Sequence, residues 1–193
     1  MVDGLSQLPL GKSFPVGAFG VPGPAGVSLQ TQPRSVCVVV AGRDRAALFA
    51  ALNAAFAADF ADAAKVVAGC AVEFIGIAPG AWLVLSEEPD LFERLERAVG
   101  ATAGVFEQSG GLVVLEATGP DLTRALAKLI PLDLHPAAFP IGSAATTTAA
   151  HVNLTLWRAD VDRFCFAVGR SYLAACLRAF AAAAAEFGFS WRG

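Results

Sequence analysis

The chain has 193 residues, of which 55% are hydrophobic and 16% charged, and its formal net charge is −3. That length suits one sizeable domain or two small fused ones, and a real core can be buried. The absence of any basic run argues against nucleic acid as a partner, because phosphate neutralisation needs clustered Lys and Arg. A surface short of charge points instead to a face covered by another protein.

The first segment, 1–34, is rich in Gly and Pro, with Gly17, Gly20, Gly23 and Gly26 recurring every third residue. It is too short for a collagen triple helix, so it reads as an extended, polyproline-like N-terminal arm. Phe14 and Phe19 are its candidate anchors on another subunit. Pro9, Gly11 and Pro15 stand where the apolar stretch of a signal peptide would be. No apolar run approaches the roughly 18–20 residues of a membrane span. The expectation is a cytoplasmic protein with no membrane partner.

Residues 35–193 read as a single α+β domain made of two similar halves, 35–109 and 110–193. A β-branched strand at 36–41 leads to a helix opened by Asp44 and running to about residue 59. Strands at 71–77 and 82–85 flank the turn Ala78-Pro79-Gly80-Ala81 and form a hairpin. Pro89 is placed in the first turn of the next helix, which ends at Gly100. A strand at 103–107 closes a β-α-β-β-α-β order. The second half repeats it: a strand at 112–117, a helix from Gly119-Pro120-Asp121 to Leu129, then strands at 143–148, 151–157 and 164–168. A turn is expected at 159–162, and a last helix over 171–187 is capped by Gly188. The match is of element order, so the halves resemble a duplicated ferredoxin-like unit.

Between helix and strand in the second half lies the connector 131–142, Pro131-Leu132-Asp133-Leu134-His135-Pro136-Ala137-Ala138-Phe139-Pro140-Ile141-Gly142. Its prolines forbid a continuing helix. Leu132, Leu134, Phe139 and Ile141 are expected to lie against a core. Asp133 stands two residues from His135 and has the spacing to orient its imidazole, although such a pair more often bonds backbone groups.

The search for other chemistry is sparse. There is no GxGxxG after a strand and no GxxxxGK[ST]. Cys37, Cys70, Cys165 and Cys176 form no CxxC pair and read as small hydrophobes rather than zinc ligands. His151 opens a strand with no acid close in sequence. Glu87, Glu88, Glu93, Asp160 and Asp162 read as solvated surface. Trp82, Trp157 and Trp191 have the flatness to stack on a flavin or pterin, but the strand positions of Trp82 and Trp157 favour packing. The residues on their own describe a binding or structural subunit rather than a self-sufficient enzyme.

The run PLDLHP-x-x-FP-x-G over 131–142 closely resembles the gamma subunit of heterotetrameric sarcosine oxidase. The hairpin Gly80-Ala81-Trp82-Leu83-Val84-Leu85, the helix start Gly119-Pro120-Asp121, Trp157-Arg158-Ala159-Asp160, Phe164 and Arg170-Ser171-Tyr172-Leu173 fit the same pattern. The match covers about residues 72–187. It implies a fold like the folate-binding region of glycine-cleavage aminomethyltransferase, and a place beside large (alpha), beta and delta subunits. Such an assembly oxidises sarcosine with dioxygen to glycine and hydrogen peroxide, releasing formaldehyde or 5,10-methylene-tetrahydrofolate. FAD, FMN, NAD and zinc are then expected on the other subunits, and no cofactor, metal or catalytic residue on this chain. Trp82, Pro131, Leu132, Asp133, His135, Pro136, Phe139 and Trp157 are the structural or interface candidates. Where the family has an acid and an arginine near the strand ending the first half, this chain offers only Glu107. The KGCYxGQE run of a related iron–sulfur assembly factor does not occur. The alternative is a stand-alone small-molecule or folate-binding module of the aminomethyltransferase type.

Overall fold

The computed structural model describes residues 14–193. Pro9 and Gly11 and the rest of the first 13 residues lie outside the described residues. The chain divides into two units. Among the described residues one comprises 14–32, 110–141 and 146–193; the other comprises 33–109 with 142–145.

The unit containing 33–109 holds strands β3 (Ser35–Ala41), β4 (Val66–Gly69), β5 (Val72–Ala78), β6 (Ala81–Ser86) and β7 (Ala103–Glu107), with helices α1 (Arg45–Phe56) and α2 (Leu91–Val99). Its sheet runs β4-β5-β6-β3-β7. Alternation decides which side chains meet the helices. Cys37 and Val39 of β3, Trp82 and Val84 of β6 and Phe74 of β5 point into one core with Leu48, Leu52, Phe56, Leu91, Leu95 and Val99. The spacing of those helical residues, three to four apart, is the apolar stripe the sequence carries. Asp44 caps α1 by accepting from Ala47 N at 3.0 Å. Pro89 stands outside α2, which begins at Leu91 after the N-cap Asp90, so it precedes the cap rather than filling the first helical position.

The other unit holds β1 (Gly17–Phe19), β2 (Val27–Gln32), β8 (Leu112–Thr118), β9 (Ala144–Ala149), β10 (Val152–Asp160), β11 (Arg163–Gly169) and β12 (Phe189–Trp191). Its helices are α3 (Leu122–Leu126) and α4 (Leu173–Ala184). The sheet runs β1-β12-β2-β8-β11-β10-β9. In chain order β8-α3-β9-β10-β11-α4-β12 repeats β3-α1-β4-β5-β6-α2-β7. In sheet order β9-β10-β11-β8-β12 repeats β4-β5-β6-β3-β7, with one strand, β2, inserted between β8 and β12. Both units are therefore the ferredoxin-like unit with an added strand before the hairpin.

The inserted strand is the main departure from the sequence reading of 1–34 as an arm. From Phe14 onward the segment is part of its unit: β2 pairs antiparallel with β8 and parallel with β12. Val27 and Leu29 are fully buried, and their alternation with Ser28 and Gln30 is that of a half-buried strand. Two of the segment's spaced glycines, Gly20 and Gly26, serve close approach to residues 185–187. Gly20 has φ +86°, and a Cβ there would lie 2.2 Å from the Ala185 carbonyl oxygen. Gly119 has φ +138°, with the Gly26 carbonyl oxygen 2.1 Å from where its Cβ would be.

Smaller differences have local causes. Helix α3 is a single short turn ending at Leu126, because the chain turns toward the connector through Lys128, Leu129 and Ile130 bonds. Strand β10 runs on to Asp160 past a register shift, so only Val161 and Asp162 make the turn. No helix among the described residues is long and apolar enough to cross a membrane.

Candidate functional site

The site begins with a charge in an apolar row. On β10, Leu154, Leu156 and Arg158 alternate onto one face, paired with Val168, Phe166 and Phe164 of β11. Phe166 packs edge-on against Phe180 of α4, with centroids 5.2 Å apart, so this is the helix-covered face. Arg158 is only 3% exposed. A buried guanidinium must find acceptors or be strongly unfavourable.

It finds four carbonyl oxygens. Nη1 donates to Leu134 at 3.3 Å and to Phe139 at 3.1 Å, both in the connector. Nη2 donates to Val161 at 2.7 Å, and Nε donates to Asp160 at 3.2 Å. The cation also lies 5.1 Å from the centre of the Phe164 ring, on which Phe139 stacks at 6.4 Å. One side chain thus clamps the connector to the tip of the β10–β11 hairpin. The planar fork of arginine suits this, since its donors point in fixed directions.

The clamp decides which connector residues are inside. Leu134 and Phe139 are buried, as expected. Leu132 and Ile141 are 37% and 57% exposed, contrary to the expectation that they lie against a core. Bonds to the Leu134 and Phe139 carbonyls pull those two residues inward, and the chain between and beside them bows outward. Pro131, Asp133, His135 and Pro136 are exposed.

Asp133 does not orient the imidazole of His135. Its Oδ1 accepts from the His135 backbone N–H at 2.9 Å, and His135 Nδ1 accepts from Ala137 N–H at 3.3 Å. Both side chains shape a turn, which is closed by Ala138 and Phe139 N–H donating to the His135 carbonyl. The other histidine, His151, sits in the β9–β10 turn rather than in a strand, with φ +72° after Ala150 at +46°. Those two angles are the left-handed pair of a tight hairpin.

Trp82, Trp157 and Trp191 are 1%, 3% and 1% exposed, so none presents an open face to a flat ligand. Trp82 packs among Phe49 and Phe60, at 5.8 and 4.9 Å between centroids, and its Nε1 donates to the Ala61 carbonyl at 3.4 Å. Trp157 lies on β10 opposite Cys165, on the face away from Arg158. Cys37, Cys165 and Cys176 are buried and Cys70 is exposed, and the four form no disulfide among the described residues. Among the described residues no three His, Cys, Asp or Glu side chains are grouped to hold a metal ion. A shallow depression of about 340 Å³ at the hairpin tip is lined by Asp160, Val161, Asp162 and Arg163. It offers carboxylates and a guanidinium to solvent and no nucleophile with a base.

Arg158 belongs to the run Trp157-Arg158-Ala159-Asp160 and is not among the residues singled out from the sequence. The signal was present: strict alternation from Leu154 and Leu156 places residue 158 on the buried face.

Comparison with known proteins defines the class first. The fold is shared with the glycine cleavage system aminomethyltransferase T from Bartonella henselae, at a TM-score of 0.63 and 14% identity, covering 88% of this chain and 48% of that one. The chain therefore has an aminomethyltransferase-like α+β fold. A chain of heterotetrameric sarcosine oxidase from Corynebacterium sp. U-96, solved in complex with pyrrole 2-carboxylate, is more similar. Its TM-score is 0.78 at 25% identity, covering 87% of this chain and 88% of that chain. Sarcosine oxidase subunit gamma of Corynebacterium sp. (strain U-96) is 37% identical over 115 residues, or 58% of this chain and 55% of the relative. That of an Arthrobacter species is 36% identical over 115 residues, covering 58% and 56%. The aligned part therefore spans about half the length of these curated relatives. The model of the sarcosine oxidase, gamma subunit family matches residues 41–186. The chain belongs to that family.

Proposed function

We propose that this chain is the gamma-type subunit of a heterotetrameric sarcosine oxidase and contributes shape rather than reactive groups. In this reading the large (alpha), beta and delta subunits hold FAD, FMN, NAD and zinc. The assembly converts sarcosine and dioxygen to glycine and hydrogen peroxide, with formaldehyde or 5,10-methylene-tetrahydrofolate as the one-carbon product. The observation that carries the reading is the fold shared over 87% of the chain with a chain of such an oxidase. The inward-turned chemistry supports it. Arg158 is engaged by backbone carbonyls and an aromatic ring of its own chain, and Asp133 and His135 are occupied with backbone amides. In this reading Trp82, Trp157 and Phe139 fix the units from inside. Pro131, Leu132, Asp133, His135 and Pro136, held outward by the Arg158 clamp, offer their surface to the large subunit.

Co-expression of the tagged chain with the three other subunits tests this. The expected result is one complex that carries this chain and a flavin absorbance band. A chain that elutes alone and colourless beside an intact flavoprotein would overturn it.

A further inference from the structure

Strand β7 ends the five-stranded sheet, and its outer edge is open. Directly opposed residues of β3 and β7 have numbers summing to 144, as in Cys37 with Glu107 and Val39 with Val105. Gln108 N–H donates to the Val36 carbonyl and Gly42 N–H to the Thr102 carbonyl. Even-numbered residues of β7 therefore bond to β3, and the N–H and C=O groups of Ala103, Val105 and Glu107 point away from it. Among the described residues no backbone group meets them.

Native sheets cover or blunt such edges, and the opposite edge of this sheet shows it. There Val66 of β4 donates to the Gly142 carbonyl at 2.8 Å, and Lys65 bridges to Ser143. Strand β7 has no proline and no lysine. It carries instead an exposed aromatic: Phe106 is 53% exposed, its ring edge lies over Gly104, and Val40, opposite Gly104 on β3, is 41% exposed. The side chains of Ala103 and Val105 pack on the other face, into the core.

Two carboxylates lie beside the edge. Glu107 ends the strand and Glu93 of α2 is exposed. Both raise the pKa of the Cys37 thiol, so both carboxylates lie near the β3–β7 pair. Of the cations on α2, Arg94 pairs with Glu88 and Asp90, and Arg97 lines the α1 side of the helix with Ala55 and Phe56.

We propose that the open edge of β7 receives an extended, lysine- or arginine-bearing segment of a partner subunit as a sixth strand. Backbone bonds to Ala103, Val105 and Glu107 supply the pairing, Phe106 and Val40 take an apolar side chain, and Glu107 and Glu93 take the basic one. This rests on the subunit reading above.

The test is hydrogen–deuterium exchange on the full chain, alone and in the assembly reconstituted with the co-expressed large, beta and delta subunits. The amides of Ala103, Val105 and Glu107 are expected to exchange freely in the isolated chain and to slow by about tenfold or more in the assembly. The variant Phe106→Lys is expected to keep the melting temperature within about 2 °C and to weaken assembly by about tenfold or more. An assembly that forms while these amides exchange as in the free chain would overturn the sixth strand and leave the subunit reading standing. Failure of any assembly to form would remove both. Protection in the isolated chain that rises with its own concentration, with a doubled mass by light scattering, would make the occupant a second copy and overturn the proposal.

Discussion

The guanidinium of Arg158 donates to the carbonyl of Phe139 at 3.1 Å, and that bond joins the hairpin of one ferredoxin-like unit to the connector before it. The other unit solves the same problem with the opposite charge. Asp62, in the segment between α1 and β4, accepts from Gly80 N–H at the tip of the β5–β6 hairpin at 2.9 Å, and it also pairs with Arg45. The two units share a design in which the crossover after the first helix is tied to the hairpin turn by one charged side chain. The difference is burial: Asp62 works at the surface, while Arg158 is sealed in.

Replacing Arg158 with Met is expected to lower unfolding stability by about 2–4 kcal/mol, because buried carbonyls at Leu134 and Phe139 lose their donor. Arg158→Lys is expected to recover only part, since an ammonium cannot reach four acceptors in the fork geometry. Urea unfolding measures both. A loss below about 0.5 kcal/mol for the Met variant, the range of an ordinary surface change, would show that the clamp is dispensable.

Gly20→Ala is expected to destabilise the protein by about 2 kcal/mol or more, through a positive φ and a collision with the Ala185 carbonyl. Gly23→Ala shares the positive φ, at +127°, but has open space around it. The smaller effect expected there isolates the part due to close approach. Equal melting temperatures for the two variants would mean that the N-terminal segment does not lie against Ala185 as described.

Burial pushes the Cys37 thiol up from 9.0 to about 12, with Glu107 and Glu93 adding to the shift, and burial does the same to Cys176. Above about pH 9 these thiols ionise in the unfolded chain but stay neutral in the fold. Unfolding then releases protons, so their contribution to stability is whole below pH 9 and declines as pH rises toward 12. The urea midpoint is expected to fall between pH 8 and pH 10, and to fall less in a Cys37→Ala, Cys176→Ala variant. Equal slopes for the two proteins would contradict the shifts.

Thiol labelling at neutral pH is expected to modify Cys70 first, because it alone of the four is exposed. Mass spectrometry of the folded protein after brief alkylation reads this directly. Early labelling of Cys37 or Cys176 would mean that their cores open far more readily than their burial implies.

Much of this architecture is legible in the sequence where pairing is local. The β5–β6 hairpin, α2 with its Leu91 and Leu95 stripe, and the repeated order of the two halves follow from alternation, helical spacing and turn residues. The strands β2 and β12 are not legible in that way. Three to six residues long, they form only because distant segments meet, with β2 entering between β8 and β12. The connector is half legible. Its prolines announce a stiff crossover, but which of its four apolar residues turn inward depends on Arg158, 24 residues beyond Leu134.

In the subunit reading this polypeptide lends form to an oxidase whose reactive groups sit elsewhere. The most direct measurement is hydrogen peroxide production from sarcosine by the purified chain alone and by the assembly that contains it, with an absorbance spectrum of each. The account predicts a colourless, inert chain and an active, flavin-coloured assembly. An isolated chain that oxidises an amine or retains a coloured group of its own would contradict it.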